Sequence, residues 1–472
     1  MALSAQAVLA GNGVQDEQRS TLQDQKEMAV TIYNNDLALI KDVRRIKLVR
    51  GQIPLAFRDV SAQIRPETAL LRSLSAPTQL SVLEQNFEFS LLTPESLLAA
   101  SVGKDVTLVR SNPTTGADSS ETARVLAAKG GVVLQVGSRI ETGAPGRLIF
   151  PDVPANLRDR PTLVMTLENQ NEAEQDVELS YLSRGLAWRA DYVVKLAPGE
   201  EKLDLSGWVT LTNTSGATYK NAKLQLVAGD INQVRNASPV PQAAKFALRS
   251  APAPTADVQE ESLFEYHLYT LPRPTTIAES QTKQVALLQA SDVPAKKQLV
   301  LTGEPYFYQG QIGDEEQKRK IAVFLEFDNK DSAHLGLPLP KGVYRVYNKD
   351  ARGNGQFIGE DQADHTPKNE KVRLKLGEAF DVTAKRKQSD FKLISGKDKN
   401  KPRETFESAF EIVLKNAKTV PVVVTVQEPI PGDWKVLNES LPHRKANSNL
   451  AEWQVSVPAE GSATLIYRVQ VR

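Results

Sequence analysis

The side chains best suited to chemistry stand together in Gly359-Glu-Asp-Gln-Ala-Asp-His-Thr-Pro367, where Glu360, Asp361, Asp364 and His365 fall within six residues. Carboxylates with an imidazole form a donor set for a divalent cation. Their spacing argues against that use. Adjacent carboxylates on a strand point to opposite faces, and Asp364 or His365, just ahead of Thr366-Pro367, can bond local backbone amides instead. No metal is therefore expected, and these four residues are the candidates should one bind. A second group, Arg184, Trp188, Arg189, Asp191 and Tyr192, sets cations beside aromatic rings, as recognition of a carbohydrate or protein partner by stacking and cation–π contact requires. In strand geometry Trp188, Ala190 and Tyr192 share one face while Arg189 and Asp191 share the other, so the same residues read more simply as core aromatics with a surface ion pair. Tyr306-Phe-Tyr308 and Tyr266-His-Leu-Tyr269 offer aromatic platforms for a glycan or peptide, although aromatics in strands mostly serve sheet packing.

No catalytic constellation emerges. The four histidines, His267, His334, His365 and His443, are far apart and lack metal-ligand spacing. There is no Gly-x-Ser-x-Gly elbow, and Gly353-Asn-Gly-Gln-Phe-Ile-Gly359 has the wrong spacing for a dinucleotide fingerprint. With no cysteine in 472 residues, disulfides, thiolate metal sites and Cys nucleophiles are excluded. No catalytic residue and no cofactor is expected. A glycosidase needs only two separated carboxylates, which keeps a glycan-directed enzyme or carbohydrate-binding module as the alternative.

The elements that carry these residues are strands. Four times an alternating apolar run closes on an asparagine: Leu163 to Asn169, Leu205 to Asn213, Ile321 to Asn329 and Phe410 to Asn416. Period-two alternation ended by a residue that tolerates turn geometry marks half-buried antiparallel strands. One short helix is expected at Thr93-Pro-Glu-Ser-Leu-Leu-Ala-Ala-Ser-Val-Gly103, with Thr93 as cap, proline at the first helical position and a closing glycine. The length exceeds what one core supports. The chain is read as an all-β protein of several antiparallel, immunoglobulin-like β-sandwich domains in tandem, with a small inserted barrel and few short helices. In order, residues 1–10 are the remnant of a signal peptide and 11–27 a flexible tail. Residues 28–155 form an N-terminal β domain with the barrel at about 104–150, followed by a sandwich over 156–235. A Pro/Ala/Ser linker or loop over 236–262 leads to a middle β domain at 263–395, and beyond a charge-rich break a C-terminal sandwich occupies 403–472.

Met1-Ala-Leu-Ser-Ala-Gln-Ala-Val-Leu-Ala10 is small and apolar with small-x-small cleavage patterns, which points to an exported, periplasmic or extracellular protein. A formal net charge of +1 with 24% charged residues lacks the one-sign field that nucleic acid requires, so no nucleic-acid partner is expected. No apolar run approaches the roughly 18 residues of a transmembrane span.

Three passages carry a family resemblance: Ser180-Tyr-Leu-Ser-Arg-Gly-Leu-Ala-Trp-Arg-Ala-Asp-Tyr192, Tyr266-His-Leu-Tyr-Thr-Leu-Pro-Arg-Pro-Thr-Thr276, and Gly359 to Pro367 leading into Lys371-Val-Arg-Leu-Lys-Leu-Gly-Glu-Ala-Phe-Asp-Val382. Over roughly residues 160–472 the chain resembles the family of domains of unknown function DUF4139, with the N-terminal region that usually precedes it. The resemblance implies a bacterial, exported protein and supplies no site residues. The expectation is a non-catalytic structural or interaction component of the envelope, extracellular matrix or a filament, meeting protein partners or copies of itself through sheet edges. The tail before Met28 or the 236–262 segment is the expected donated strand.

Overall fold

The computed structural model describes residues 17–88, 91–143, 146–154, 157–229, 231–232, 259–312, 315–395 and 405–472. The signal remnant, residues 11–16 of the tail, most of the 236–262 segment and the charge-rich break lie outside the described residues. The described chain is almost entirely β, with one α-helix and three short 3-10 turns. None of its helices is long and apolar enough to cross a membrane, which leaves strand-built spans unaddressed. Two compact units result, each assembled from separated stretches. Among the described residues, the first comprises the chain up to Trp188 with Leu211–Asn236 and Gln259–Lys283, and the second comprises Arg189–Thr210 and Gln284–Arg472.

The first unit holds an eight-stranded, a four-stranded and a five-stranded sheet. Its central strands follow the alternation of their sequences. In Gln25–Tyr33, Met28, Val30 and Ile32 point inward. In the antiparallel neighbour Leu37–Lys47 the inward phase continues through Ile40, Asp42, Arg44 and Ile46, so two charged residues enter the core. They satisfy one another: Arg44 donates to Asp42 Oδ2 at 2.8 and 3.0 Å, to Ser20 O at 3.0 Å and to Arg58 O at 2.8 Å, and its guanidinium lies 3.7 Å from the centre of the Phe57 ring. For residues 17–27, the described part of the expected flexible tail, this is a correction. Residues Gln18–Ser20 form a strand parallel to Gly51–Arg58, because the carbonyl of Ser20 is needed by the buried arginine.

The inserted module at 105–149 is a second correction. Its five strands are present, but the ladder is open, running from Arg139–Thr142 at one edge to Arg147–Ile149 at the other with no pairing between them. Edge strands of four and three residues offer too few ladder bonds to close a barrel. The apolar face, Val106, Leu108, Ala123, Val125, Leu134 and Val136, is covered instead by Leu98 of the helix Pro94–Ala100 together with Val132, Leu148 and Phe150. The helix starts as its sequence predicts, with Thr93 Oγ1 accepting from Ser96 N at 3.1 Å in a capping box.

The second unit is built on a thirteen-stranded sheet with two very long strands, Gln281–Thr302 and Lys371–Ser395. Its C-terminal part packs Phe410, Ile412, Leu414, Trp453, Val455 and Tyr467 into one core.

The four strand-closing asparagines do more than turn the chain. Asn169, Asn213, Asn329 and Asn416 are all buried. The Nδ2 groups of Asn169, Asn213 and Asn329 each share their two hydrogens among three backbone carbonyls: Asn213 with Ala217, Ile277 and Ala278, and Asn329 with Leu337, Thr366 and Pro367. Asn416 donates to Val420 O and Pro458 O. Each amide thus replaces ladder bonds that end where the strand ends, and pins a crossing loop to the core.

Candidate binding cavity at the mouth of a curled sheet

Seven strands, lying mostly in the second unit, curl around a common interior in the order Gly355–Ala363, Gly342–Lys349, Leu186–Leu196, Lys202–Asn213, Gln281–Thr302, Gln317–Asp328 and the first half of Lys371–Ser395. Tyr192 and Tyr344 stack inside at 4.1 Å between ring centres, and the Tyr192 hydroxyl donates to Pro340 O at 2.8 Å. The two outermost strands approach without forming a ladder. The amide of Lys375 donates to Asp361 Oδ2 at 2.7 Å, and Gly359 lies so close to the Leu376 backbone that a Cβ would overlap it.

The sequence-predicted metal group is distributed along this seam. Asp361 caps the Lys375 amide, Glu360 pairs with Arg345 at 3.2 Å, Asp364 pairs with Lys341 Nζ at 3.1 Å, and His365 Nδ1 accepts from Lys341 N at 3.1 Å. No set of three metal-ligating side chains converges among the described residues. The second predicted group is divided as well. Arg184 and Trp188 belong to the first unit, where Arg184 is exposed and Trp188 is buried with its indole donating to Val227 O at 3.3 Å. Tyr192 is fully buried and presents no ring face to a ligand. Arg189 and Asp191 pair at 3.1 Å, as their shared face implies. Asp191 also accepts from Thr210 Oγ1 at 2.6 Å and from Arg345 at 2.9 Å. Burial alone would raise its carboxyl, but the donors from Thr210, Arg345 and Arg189 outweigh burial and hold it below the usual carboxylate range.

The aromatic platforms also separate. Tyr306 is half exposed, whereas Tyr308 is buried and donates to Glu428 Oε2 at 2.7 Å. In the first unit Tyr269 is buried, and His267 pairs with Glu260 at 2.8 Å.

What sequence reasoning missed lies at the end of the curl. A cavity of about 290 Å³ opens there, walled by Leu196, Leu299, Val323, Leu325, Ile358 and Leu376. It exists because the Lys371 strand is irregular against Gln317–Asp328. Leu376 is an extra residue between the pairs Lys375↔Phe324 and Gly377↔Val323, and residues 379–382 stand opposite Ile321 alone. Such bulges bend a strand and re-aim its side chains. Phe380, in phase with the inward Val372 and Leu374, is thereby turned out beside the cavity and is 94% exposed. On the rim, Glu200 pairs with Lys297 and accepts from Asn348 Nδ2 at 3.0 Å, while Glu378 pairs with Lys320 at 2.5 Å. Lys418, half-buried on the same rim, has no ion-pair partner among the described residues.

Fold and site together define an all-β protein with an apolar cavity at a sheet mouth. The family model described as Domain of unknown function (DUF4139) matches residues 177–472, more than half of the chain, and the chain belongs to that family. A comparison with curated proteins returned no match.

Proposed function

We propose that the chain is an exported, non-catalytic structural or interaction component of the bacterial envelope, extracellular matrix or a filament, built from immunoglobulin-like β-sandwiches in tandem. The observation that carries this reading is the strand Leu80–Glu88. It is the edge of the four-stranded sheet, with Thr162–Asn169 as its one neighbour in that sheet, and residues 81–86 are exposed on both faces. Val82 and Leu83 are 37% and 51% exposed there, and Leu83 is the extra residue of a bulge that turns it outward. A sheet edge with exposed apolar side chains suits an added strand from a second copy, with main-chain bonds giving affinity and side chains giving register.

Light scattering on a sizing column tests the reading. Assemblies larger than the 51.8 kDa chain are expected, and Leu83→Lys should dissolve them while leaving the melting temperature of the chain unchanged. A monomer at every concentration, or assemblies indifferent to Leu83→Lys, would overturn self-association through this edge.

A further inference from the structure

We infer that the cavity at the mouth of the curled sheet binds a medium-chain aliphatic carboxylate, with the alkyl chain between Leu196, Leu325, Ile358 and Leu376 and the carboxylate on Lys418. The inference stands apart from the assembly reading above, since the cavity lies in the second unit and the Leu80 edge in the first.

Three observations lead to it. Six of the walls are aliphatic side chains, and the polar groups on the lining, Glu200, Lys297, Asn348 and Glu378, are engaged with one another or with Lys320, so Lys418 is the lining group left to meet a ligand. The volume, about 290 Å³, gives a scale for the enclosed part of the ligand: at the roughly 30 Å³ that a water-sized unit takes in a liquid, about ten heavy atoms fit. That matches a chain of about eight to ten carbons and is short of a long-chain lipid. The third observation is charge. Glu200 is taken by Lys297 and Asn348, and Glu378 by Lys320, so the rim retains one surplus positive group, Lys418. A cation half withdrawn from water beside an apolar cavity favours a ligand whose single anionic head sits at the end of an apolar body. Phe380 stands at the lip, where its ring can cover the chain once the ligand has entered.

Titration calorimetry of the full chain with decanoate, decanol and a short peptide ending in leucine tests the inference. Decanoate is expected to bind one to one, below the concentration at which it forms micelles, and at least tenfold more tightly than decanol. Lys418→Glu should weaken decanoate at least tenfold, and Ile358→Asp, at a wall position 38% exposed and so tolerant of a polar group, should do the same. Phe380→Ala should weaken it about threefold. Melting curves of all three variants should match the parent. Absence of saturable decanoate binding to the parent chain, equal affinity for decanol, or parent-like affinity in Lys418→Glu would overturn the assignment. Preference for the leucine-ended peptide over decanoate would overturn it in favour of a chain terminus.

Discussion

Arg44 in the first unit and Arg386 in the second are both buried guanidiniums lying over aromatic rings, and they differ in where their partners come from. Arg44 takes its carboxylate from Asp42, two residues away on the same strand, and two carbonyls from strands of the four-stranded sheet. Arg386 sits between the rings of Phe307 and Phe410, at 4.1 and 4.2 Å from their centres. Its partners, Glu428 and the hydroxyls of Tyr467 and Tyr308, come from two other strands and a 3-10 turn. Burial opposes the Arg386 charge, but Tyr467, Glu428 and Tyr308 outweigh it and raise its pKa above the ordinary arginine value. Burial likewise pushes the Tyr308 hydroxyl up, with the Glu428 charge adding to it, so that proton is retained. A pair on one strand neutralises a charge. A pair drawn from distant strands also fixes how those strands pack. The space is tight as well, for a Cβ on Gly303 would overlap the Glu428 carboxylate.

The sharpest way to break this comparison is to remove each carboxylate. Glu428→Ala leaves Arg386 charged, buried and without a counter-ion, and should destabilise the second unit by about 3–5 kcal/mol. Asp42→Ala likewise leaves Arg44 buried without a counter-ion, though with two carbonyls and the Phe57 ring against it, and should cost about 3 kcal/mol, the low end of that range. Urea unfolding followed by hydrogen exchange assigns each loss to its unit. Equal costs would show that reach along the chain is irrelevant and that burial alone sets the energy.

The two clusters also differ in how far the sequence discloses them. Asp42 and Arg44 occupy the inward phase of an alternating strand, so their pairing follows from period two once the strand is recognised. Period two also puts Arg386 in phase with the inward Val382 and Ala384, and Glu428 in phase with Val424 and Val426, but that the two meet depends on which strands become neighbours. The same boundary separates the remaining readings. Alternation and asparagine placement were enough for the strands, the capped helix and the Arg189–Asp191 pair, since each rests on local geometry. Barrel closure and the cavity were not legible. Closure depends on the length of two edge strands, and the cavity on bulges that arise only when the Lys371 strand meets Gln317–Asp328. The strand phase of Val372 and Leu374 even points Phe380 inward, the reverse of where the bulge puts it. The carboxylates of the Glu360 to His365 segment were visible as chemistry, yet their use as caps and ion pairs is fixed by strands they approach only in the fold.

The asparagines sharpen the comparison at intermediate cost, because they tie distant loops as Arg386 does but carry no charge. Asn329→Ala removes the donors to Leu337, Thr366 and Pro367 and the acceptor of Gly336 N, leaving buried backbone groups unmatched. A loss of about 2 kcal/mol is expected. The exposed Asn354 in the hairpin turn, whose partner is Asp350, should tolerate alanine with less than about 0.5 kcal/mol. Denaturant midpoints of the two variants check the contrast, and similar shifts would mean that burial of the amide contributes nothing beyond turn formation.

The smallest effect comes from a surface counterpart, Asp176, which accepts from Arg45 at 2.8 Å and from Lys26 at 3.1 Å. Arg45, with Lys26 adding to it, holds this carboxyl at about 2, below its ordinary 3.8. Because the folded value is the depressed one, the stabilisation is fully present above about pH 4 and is lost as pH falls toward 2. Water screens the pair, so Asp176→Asn should lower the melting temperature by only about a degree or two at pH 6. That difference should vanish near pH 2 and shrink in high salt at pH 6, whereas the cost of Glu428→Ala should persist in salt, since a buried pair is little screened. Parallel melts of both variants at low and high salt therefore separate a charge that neutralises from one that organises. A salt-sensitive Glu428→Ala would place Arg386 in contact with solvent and remove the distinction.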